Sequence, residues 1–283
     1  MTVVARRRAA SRTIRLDRSL EALPLFRLSD SADEGVISYA DAAGGRWRVI
    51  PAPGDRLPGT FDQDVYVELL RRYQEAGDPP DGAISFTLHA FLRAMGRRVD
   101  GRTYEQLRGA LTRLERTALE SVGMYEAAPS GERRDIQFTL LSSVTVERRR
   151  SLDRDQLQLF SAITIGEPGV ARVVLGGTMR DNLAANHTIG ISMPCYWALG
   201  SPVARRLYRL LEVARADGRL TWRVSLERLA EQLPLAQRYP SHLQRVLQPA
   251  HDMLVAQGVL RNAAIRQHQR DWFVDYMLGS RPV

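Results

Sequence analysis

The chain has 283 residues, of which 44% are hydrophobic and 25% charged, proportions of a folded globular protein rather than a disordered one. Its 40 basic residues outnumber 32 acidic ones, giving a formal net charge of +8 and a pI near 10.2, which favours an acidic partner. No stretch approaches the roughly 18 consecutive apolar residues of a membrane helix, and a lone cysteine, Cys195, excludes an intrachain disulfide or a thiolate zinc cluster.

The length suggests about two domains. Lysine is absent, so every basic residue is arginine. Biased codon usage accounts for that composition, yet its physical consequence stands: the planar guanidinium suits bidentate contacts to phosphate and guanine. The opening "MTVVARRRAASRTIRL" has no apolar core of a secretory signal, and with a single cysteine the compartment expected is the cytoplasm. Residues 1–20 hold Arg6, Arg7, Arg8, Arg12, Arg15 and Arg18 against Asp17 alone, and read as a mobile basic arm.

"VISYADAAGGRWRVI" (36–50) reads as two strands around a Gly-Gly turn, and the three prolines of "PAPGDRLPG" (51–59) then break the chain. From Asp62 a helix is predicted, with Val65, Leu69 and Tyr73 on one face and a stop at Gly77. A short strand (83–87) and a short helix (88–96) follow. In "GRTYEQLRGALTRLERT" (101–117), Tyr104, Leu107, Leu111 and Leu114 form an apolar stripe, and Thr103 with Gln106 reads as a capping box. Residues 118–128 and 135–147 flank the turn 129–134 and are predicted to pair as a ribbon with Arg133 and Arg134 at its tip. Residues 160–192 lean towards strand and are expected to extend the first domain's sheet, covered by Leu157, Leu159 and Phe160.

About 140 residues further on, the pattern returns. Helix 201–218, strand 220–225, short helix 226–233, helix 241–258 with Ser241 and Gln244 as its box, and a ribbon over 259–278 repeat the order. Leu69 and Leu70 match Leu210 and Leu211 at an offset of 141, Phe86 and Leu88 match Val224 and Leu226 at 138, and Tyr104 and Leu107 match Leu243 and Val246 at 139. The order is that of a winged helix, whose third helix enters the major groove of DNA while the ribbon touches backbone. The fold expected is therefore α+β, two tandem winged-helix domains with the first enlarged by extra strands: arm 1–20, first domain 21–195, second domain 196–283.

The arcs opposite the two apolar stripes hold the candidate contacts. Arg102, Gln106, Thr112, Arg113 and Arg116 lie on the first; Ser241, Gln244, Arg245 and Gln248 lie on the second. Arginine reads guanine and glutamine adenine, while Arg133, Arg134, Arg261, Arg266, His268 and Arg270 around the ribbon tips, and "ERRR" (147–150), would clamp phosphates. Pro249 is expected to kink the last long helix or to divide it in two.

Catalytic signatures are missing. No phosphate loop exists, and the five histidines show no zinc spacing, so neither cofactor nor metal is expected. Cys195 with His187 would suit a thiol–imidazole pair, although a small buried cysteine reads better. Tyr104, Tyr125 and Tyr196 leave a DNA-nicking relaxase as an alternative of another class, and a winged-helix transcriptional regulator as one on the same fold. The expectation is a sequence-specific duplex-DNA-binding protein that is not an enzyme.

The run "FDQDVYVELLRRYQEAGDPPDGAISFTLHAFLRAMG…TYEQLRGALTRLERT", with "SPVARRLYRLLE" and the second capped helix, resembles the replication initiator protein A family over about residues 20–278. The resemblance implies binding to direct repeats at a plasmid replication origin and opening of an adjacent AT-rich segment. It also implies recruitment of host initiator and helicase, and a balance between homodimer and origin-binding monomer. Residue by residue it carries over only to Arg102, Gln106, Arg113, Arg245 and Gln248.

Overall fold

The computed structural model describes residues 12–29, 35–146, 169–235 and 238–280. In chain order the elements are β1 (Thr13–Asp17), α1 (Arg18–Glu21), β2 (Ile37–Ala40), β3 (Arg46–Ile50), α2 (Thr60–Glu75), β4 (Ala83–Thr87), α3 (Leu88–Ala94) and α4 (Gly101–Arg116). There follow β5 (Ala118–Ala127), β6 (Glu132–Phe138), β7 (Leu141–Val146), β8 (Val170–Leu175), α5 (Gly177–Ala184), β9 (Thr188–Ser192) and α6 (Met193–Ala198). The second half holds α7 (Pro202–Ala216), β10 (Thr221–Ser225), α8 (Leu226–Gln232), α9 (Pro240–Ala256), β11 (Leu260–His268) and β12 (Asp271–Leu278). The architecture is α+β.

One arrangement occurs twice. A long helix, a strand, a short helix and a second long helix precede two strands, and the last strand lies in the middle of a three-stranded antiparallel sheet. The strand orders are β4-β8-β7 and β10-β12-β11. The repeat seen as a sequence offset is thus a repeat of topology.

The predicted ribbon of the first unit is corrected. β5 and β6 do pair, but within a separate four-stranded sheet of order β2-β3-β5-β6. The strands equivalent to β11 and β12 are β7 and β8. The predicted strand 135–147 is in fact two strands in two sheets, broken at Thr139 and Leu140. There Gly176 packs so closely that a Cβ on it would lie 2.3 Å from the Thr139 carbonyl, and its N–H donates to Leu140 O at 2.8 Å. The link from β7 to β8, including "ERRR" and the proposed cover Leu157, Leu159 and Phe160, lies outside the described residues. β8 does extend the first unit's sheet, while α5 interrupts the strand-like stretch that follows it.

The arm is corrected as well. Residues 13–17 form a strand against β9, because alternating Ile14 and Leu16 are fully buried and give the chain one apolar side. Asp17 caps α1 through Ser19 N and Leu20 N and accepts from Tyr125 Oη at 2.6 Å; burial pushes its carboxyl up to about 7. Arg15 binds Asp78 at 2.6 Å and Arg18 binds Asp217 at 2.5 Å. Arg6, Arg7 and Arg8 lie outside the described residues.

Of the two predicted capping boxes one shifts and the other is absent. Asp100 is the N-cap of α4: its carboxylate accepts from Thr103 N at 2.9 Å, and Thr103 Oγ1 accepts from Asp100 N at 3.1 Å. The box is therefore satisfied one turn before Gln106. α9 starts at Pro240 behind Tyr239 with no side-chain cap, as a proline at the first position allows. Pro249 does not divide α9, which runs unbroken to Ala256.

Helix α2 is buried almost all round, including Asp62, Gln63, Asp64 and Glu68. A buried carboxylate is tolerated only when paired and hydrogen-bonded, and arginines supply the partners. Asp64 accepts from Arg97 at 2.8 Å, Arg205 at 2.6 Å and Tyr196 Oη at 2.9 Å. Glu68 takes Arg71 and Arg72 at 2.7 and 2.8 Å. On α1, Glu21 receives Arg209 at 2.9 and 2.7 Å and Arg206 at 3.2 Å. Arg206 also donates to Glu21 O and Leu23 O, and Arg209 to Gln63 Oε1 at 2.6 Å. Burial and the neighbouring Arg209 draw the Arg206 guanidinium down to about 10, which leaves it charged at neutral pH. These bonds tie α7 of the second unit to α1 and α2.

Glu21→Ala leaves two buried guanidiniums without their carboxylate, so urea denaturation should show a loss of about 3–5 kcal/mol. A loss below about 1 kcal/mol, the size of a surface pair, would show that the junction does not depend on this carboxylate.

Candidate nucleic-acid interface

The second unit brings its predicted contacts together. Leu243, Leu247, Ala250 and Leu254 bury one side of α9, and this turns Ser241, Arg245 and Gln248 to solvent with Gln244 half-exposed beside them. Those four residues, with Ala263, Ala264 and Arg266 of β11 and Trp272 of β12, line one open groove between helix and strands. The two alanines keep the strand side of the groove shallow. Arg245 lies 3.2 Å from His242 Nδ1, and Gln248 donates to Asp252 at 2.9 Å. Both are intrahelical contacts at the surface, which a stronger partner can replace at little cost.

Arg266 is 70% exposed and 4.0 Å from Asp275, whose carboxylate also takes Arg223 at 3.4 Å. The β11–β12 turn is made by Gln269 in a left-handed conformation, φ 55°, and leaves His268 and Arg270 exposed at the tip. Arg261 is not at the tip but at the far end of β11, beside a bulge between Leu260 and Asn262. Sequence reasoning missed Arg238 and Tyr239. Tyr239 is 72% exposed immediately before α9, and Arg238 shares a second groove with Arg270, Pro240 and Phe273. The available signal was an aromatic and a cation in a loop abutting the predicted reading helix.

The first unit is sparser. On α4, Leu107, Ala110, Leu111 and Leu114 are buried, and Arg102 and Gln106 are exposed, as predicted, near the helix start. Thr112 is half-buried, and Arg116 reaches Asp55 at 3.0 Å while 49% exposed. Arg113 is corrected. Its guanidinium is 12% exposed and donates twice to Asp62 Oδ1, at 3.1 and 2.8 Å. It is an internal brace between α4 and α2. Its position on the flank of the apolar stripe places it under α2, which no reading of α4 alone reveals. Arg108 pairs with Glu105 on the helix surface. Arg133 and Arg134, exposed on β6, bind Asp41 at 3.2 Å and Glu132 at 3.9 Å. They belong to the four-stranded sheet, not to the ribbon equivalent to β11–β12.

Of the groups considered for chemistry, Tyr104 is half-buried with its phenol 3.5 Å from His89 Nδ1, and the others are committed elsewhere. Cys195 is buried, and burial pushes its thiol up to about 11, the opposite of an activated thiolate. His187 faces Ser19 Oγ at 3.0 Å. The Tyr125 and Tyr196 phenols bond Asp17 and Asp64, and burial raises both above the ordinary tyrosine range. No described helix is long and apolar enough to cross a membrane.

The fold is shared with RctB. Two crystal structures of domains 2 and 3 of RctB superpose with TM-scores of 0.57 and 0.53 at 12% identity, over 93% and 92% of this chain and 99% and 96% of theirs; at that identity the likeness is one of fold. The sequence pattern of the replication initiator protein A family matches residues 15–253. The chain belongs to that family. A protein described as a putative replication protein, from Wigglesworthia glossinidia brevipalpis, is 26% identical over 116 residues, covering 39% of this chain and 41% of that protein. The chain thus spans about two-fifths of that curated relative.

The ion pair of Arg113 makes a specific expectation. Arg113→Ala should lower stability by about 3 kcal/mol, the cost of stranding the buried Asp62 carboxylate, and leave the DNA sequence preference of the folded protein as it was. Altered preference at one base position, without loss of stability, would return Arg113 to the reading face.

Proposed function

We propose that each repeated unit is a winged helix and that the protein binds duplex repeats at a plasmid-type replication origin, where it acts as initiator and helps to open the origin. The observation that carries this reading is the α9 groove, where Ser241, Gln244, Arg245, Gln248 and Arg266 converge from a helix and an adjoining strand. Helix α9 would lie in the major groove with Arg245 and the two glutamines towards base edges. Arg266, His268 and Arg270 would meet the sugar–phosphate backbone. In the first unit Arg102 and Gln106 at the start of α4 would have the same role, with Arg116 at the other end of that face.

Family membership supports initiation over transcriptional control, and host initiator and helicase proteins would be the partners recruited to the opened origin. We propose a binding role rather than a DNA-nicking one, since Tyr125 and Tyr196 hold their phenols in buried bonds to carboxylates. Supercoiled origin DNA incubated with the protein and Mg²⁺ should therefore stay closed.

Sequences selected from a random pool should yield a site of roughly 20 base pairs, two turns of about 10, one for each head. On that site Arg245→Ala should cost about 1–3 kcal/mol at one base position, whereas Arg270→Ala should weaken all sequences alike and reduce the salt slope by about one. Equal losses on every sequence for both variants would overturn the assignment of α9 as the reading helix.

A further inference from the structure

A second cationic cleft opens where the two units meet, and neither polar arc contributes to it. It encloses about 630 Å³ between Thr60 at the start of α2, Arg93 in the last turn of α3 with Arg97 just after it, and Trp197, Pro202 and Arg205 around the start of α7. Its size is that of a small-ligand site. Three guanidiniums and an indole line it.

The charges do not cancel. The carboxylate behind the cleft is Asp64, buried and already accepting from Arg97, Arg205 and Tyr196. It neutralises one of the three arginines. Arg93 is exposed, and its side chain makes no hydrogen bond or ion pair among the described residues. The starts of α2 and α7, helices of 16 and 15 residues, add the positive ends of two helix dipoles. A site with this balance favours a phosphate.

The aromatic wall adds a second preference. Trp197 is half-buried, fixed by the Arg205 guanidinium 5.1 Å from its ring centre and by the edge of Tyr196 at 5.1 Å. A held indole beside uncompensated cations is the combination that binds an unstacked base together with its phosphate. A base inside a duplex has no free face to offer.

We propose that this junction cleft binds one nucleotide unit, its phosphate at Arg93 and Arg97 and its base against Trp197, from either a single strand of nucleic acid or a free nucleoside phosphate. Because the lining comes from both units, an occupant would bridge them. The proposal is independent of the duplex-reading surfaces.

The test titrates the full chain with thymidine 5′-monophosphate, with a 12-residue oligothymidylate and with inorganic phosphate, reading indole fluorescence. Saturable quenching by a thymidine probe should be lost in Trp197→Leu and weakened about tenfold in Arg93→Ala, the order of one charge-assisted contact. Affinity for selected duplex DNA should stay unchanged in both variants. Quenching by the oligomer alone names single strands as the source; quenching by the monophosphate at least as strongly names the free nucleotide. Arg93→Ala, on the surface, reports even if Trp197→Leu does not fold. No quenching by either thymidine probe, equal binding by wild type and Arg93→Ala, or quenching that inorganic phosphate alone reproduces would overturn the proposal. Loss of duplex binding by the unmutated chain would strike the initiator reading and not this one.

Discussion

The structure depends on carboxylates buried among arginines at the junction of its two units. Glu21 with Arg206 and Arg209 is sealed from bulk water, and Asp64 is buried behind Arg205 and the part-exposed Arg97. Desolvating such charges costs several kcal/mol each, and their attraction offsets that only when geometry and remaining hydrogen bonds are satisfied. Arg206 and Arg209 meet most of the condition by using backbone carbonyls of Glu21 and Leu23 and the Gln63 amide as further acceptors, each leaving only its buried Nε unpaired. An apolar junction would tolerate sliding. Directional bonds from α7 into α1 and α2 fix one relative orientation.

That orientation has an internal logic. Asp64 on α2 and Arg205 on α7 stand at the same offset of 141 that relates Leu69 to Leu210, and they bond each other at 2.6 Å. Equivalent positions of the two copies meet with opposite charge. The repeated units are thus joined through corresponding faces of their first helices, and α4 and α9 stay free to turn their polar sides outward. The excess of arginine therefore has two uses. Part of it braces the interior, as Arg113, Arg205, Arg206 and Arg209 do, and part remains exposed, as Arg102, Arg245 and Arg270 do.

Much of this was legible in the sequence, because period and spacing report burial against an apolar core. The stripes of α4 and α9, the β2–β3 hairpin and the repeat at about 140 residues all follow from such patterns. What stayed hidden required a partner from a distant segment. Arg113 reads as outward on α4 taken alone, and only Asp62, 51 residues earlier on a helix buried almost all round, makes it internal. Arg15 and Arg18 read as a basic arm although Ile14 and Leu16 beside them already carried the two-residue alternation of a strand. The β5–β6 pair satisfied every local rule for a ribbon, but sheet membership is decided by Gly176 and β8, far along the chain. In the second unit, where β11 and β12 are joined by a tight turn, local and global pairing coincide, and Ser241, Gln244, Arg245, Gln248 and Arg266 were found together.

The claim at the centre of the account is that two DNA-docking heads are held at one fixed separation by the buried junction. Its most direct measurement takes the selected duplex and inserts about 5 base pairs, half a helical turn, between its half-sites. A rigid pair of heads can no longer meet both grooves, so affinity should fall about tenfold or more, to that of a single half-site. Affinity that ignores the insertion would mean the heads act independently, and would contradict the account.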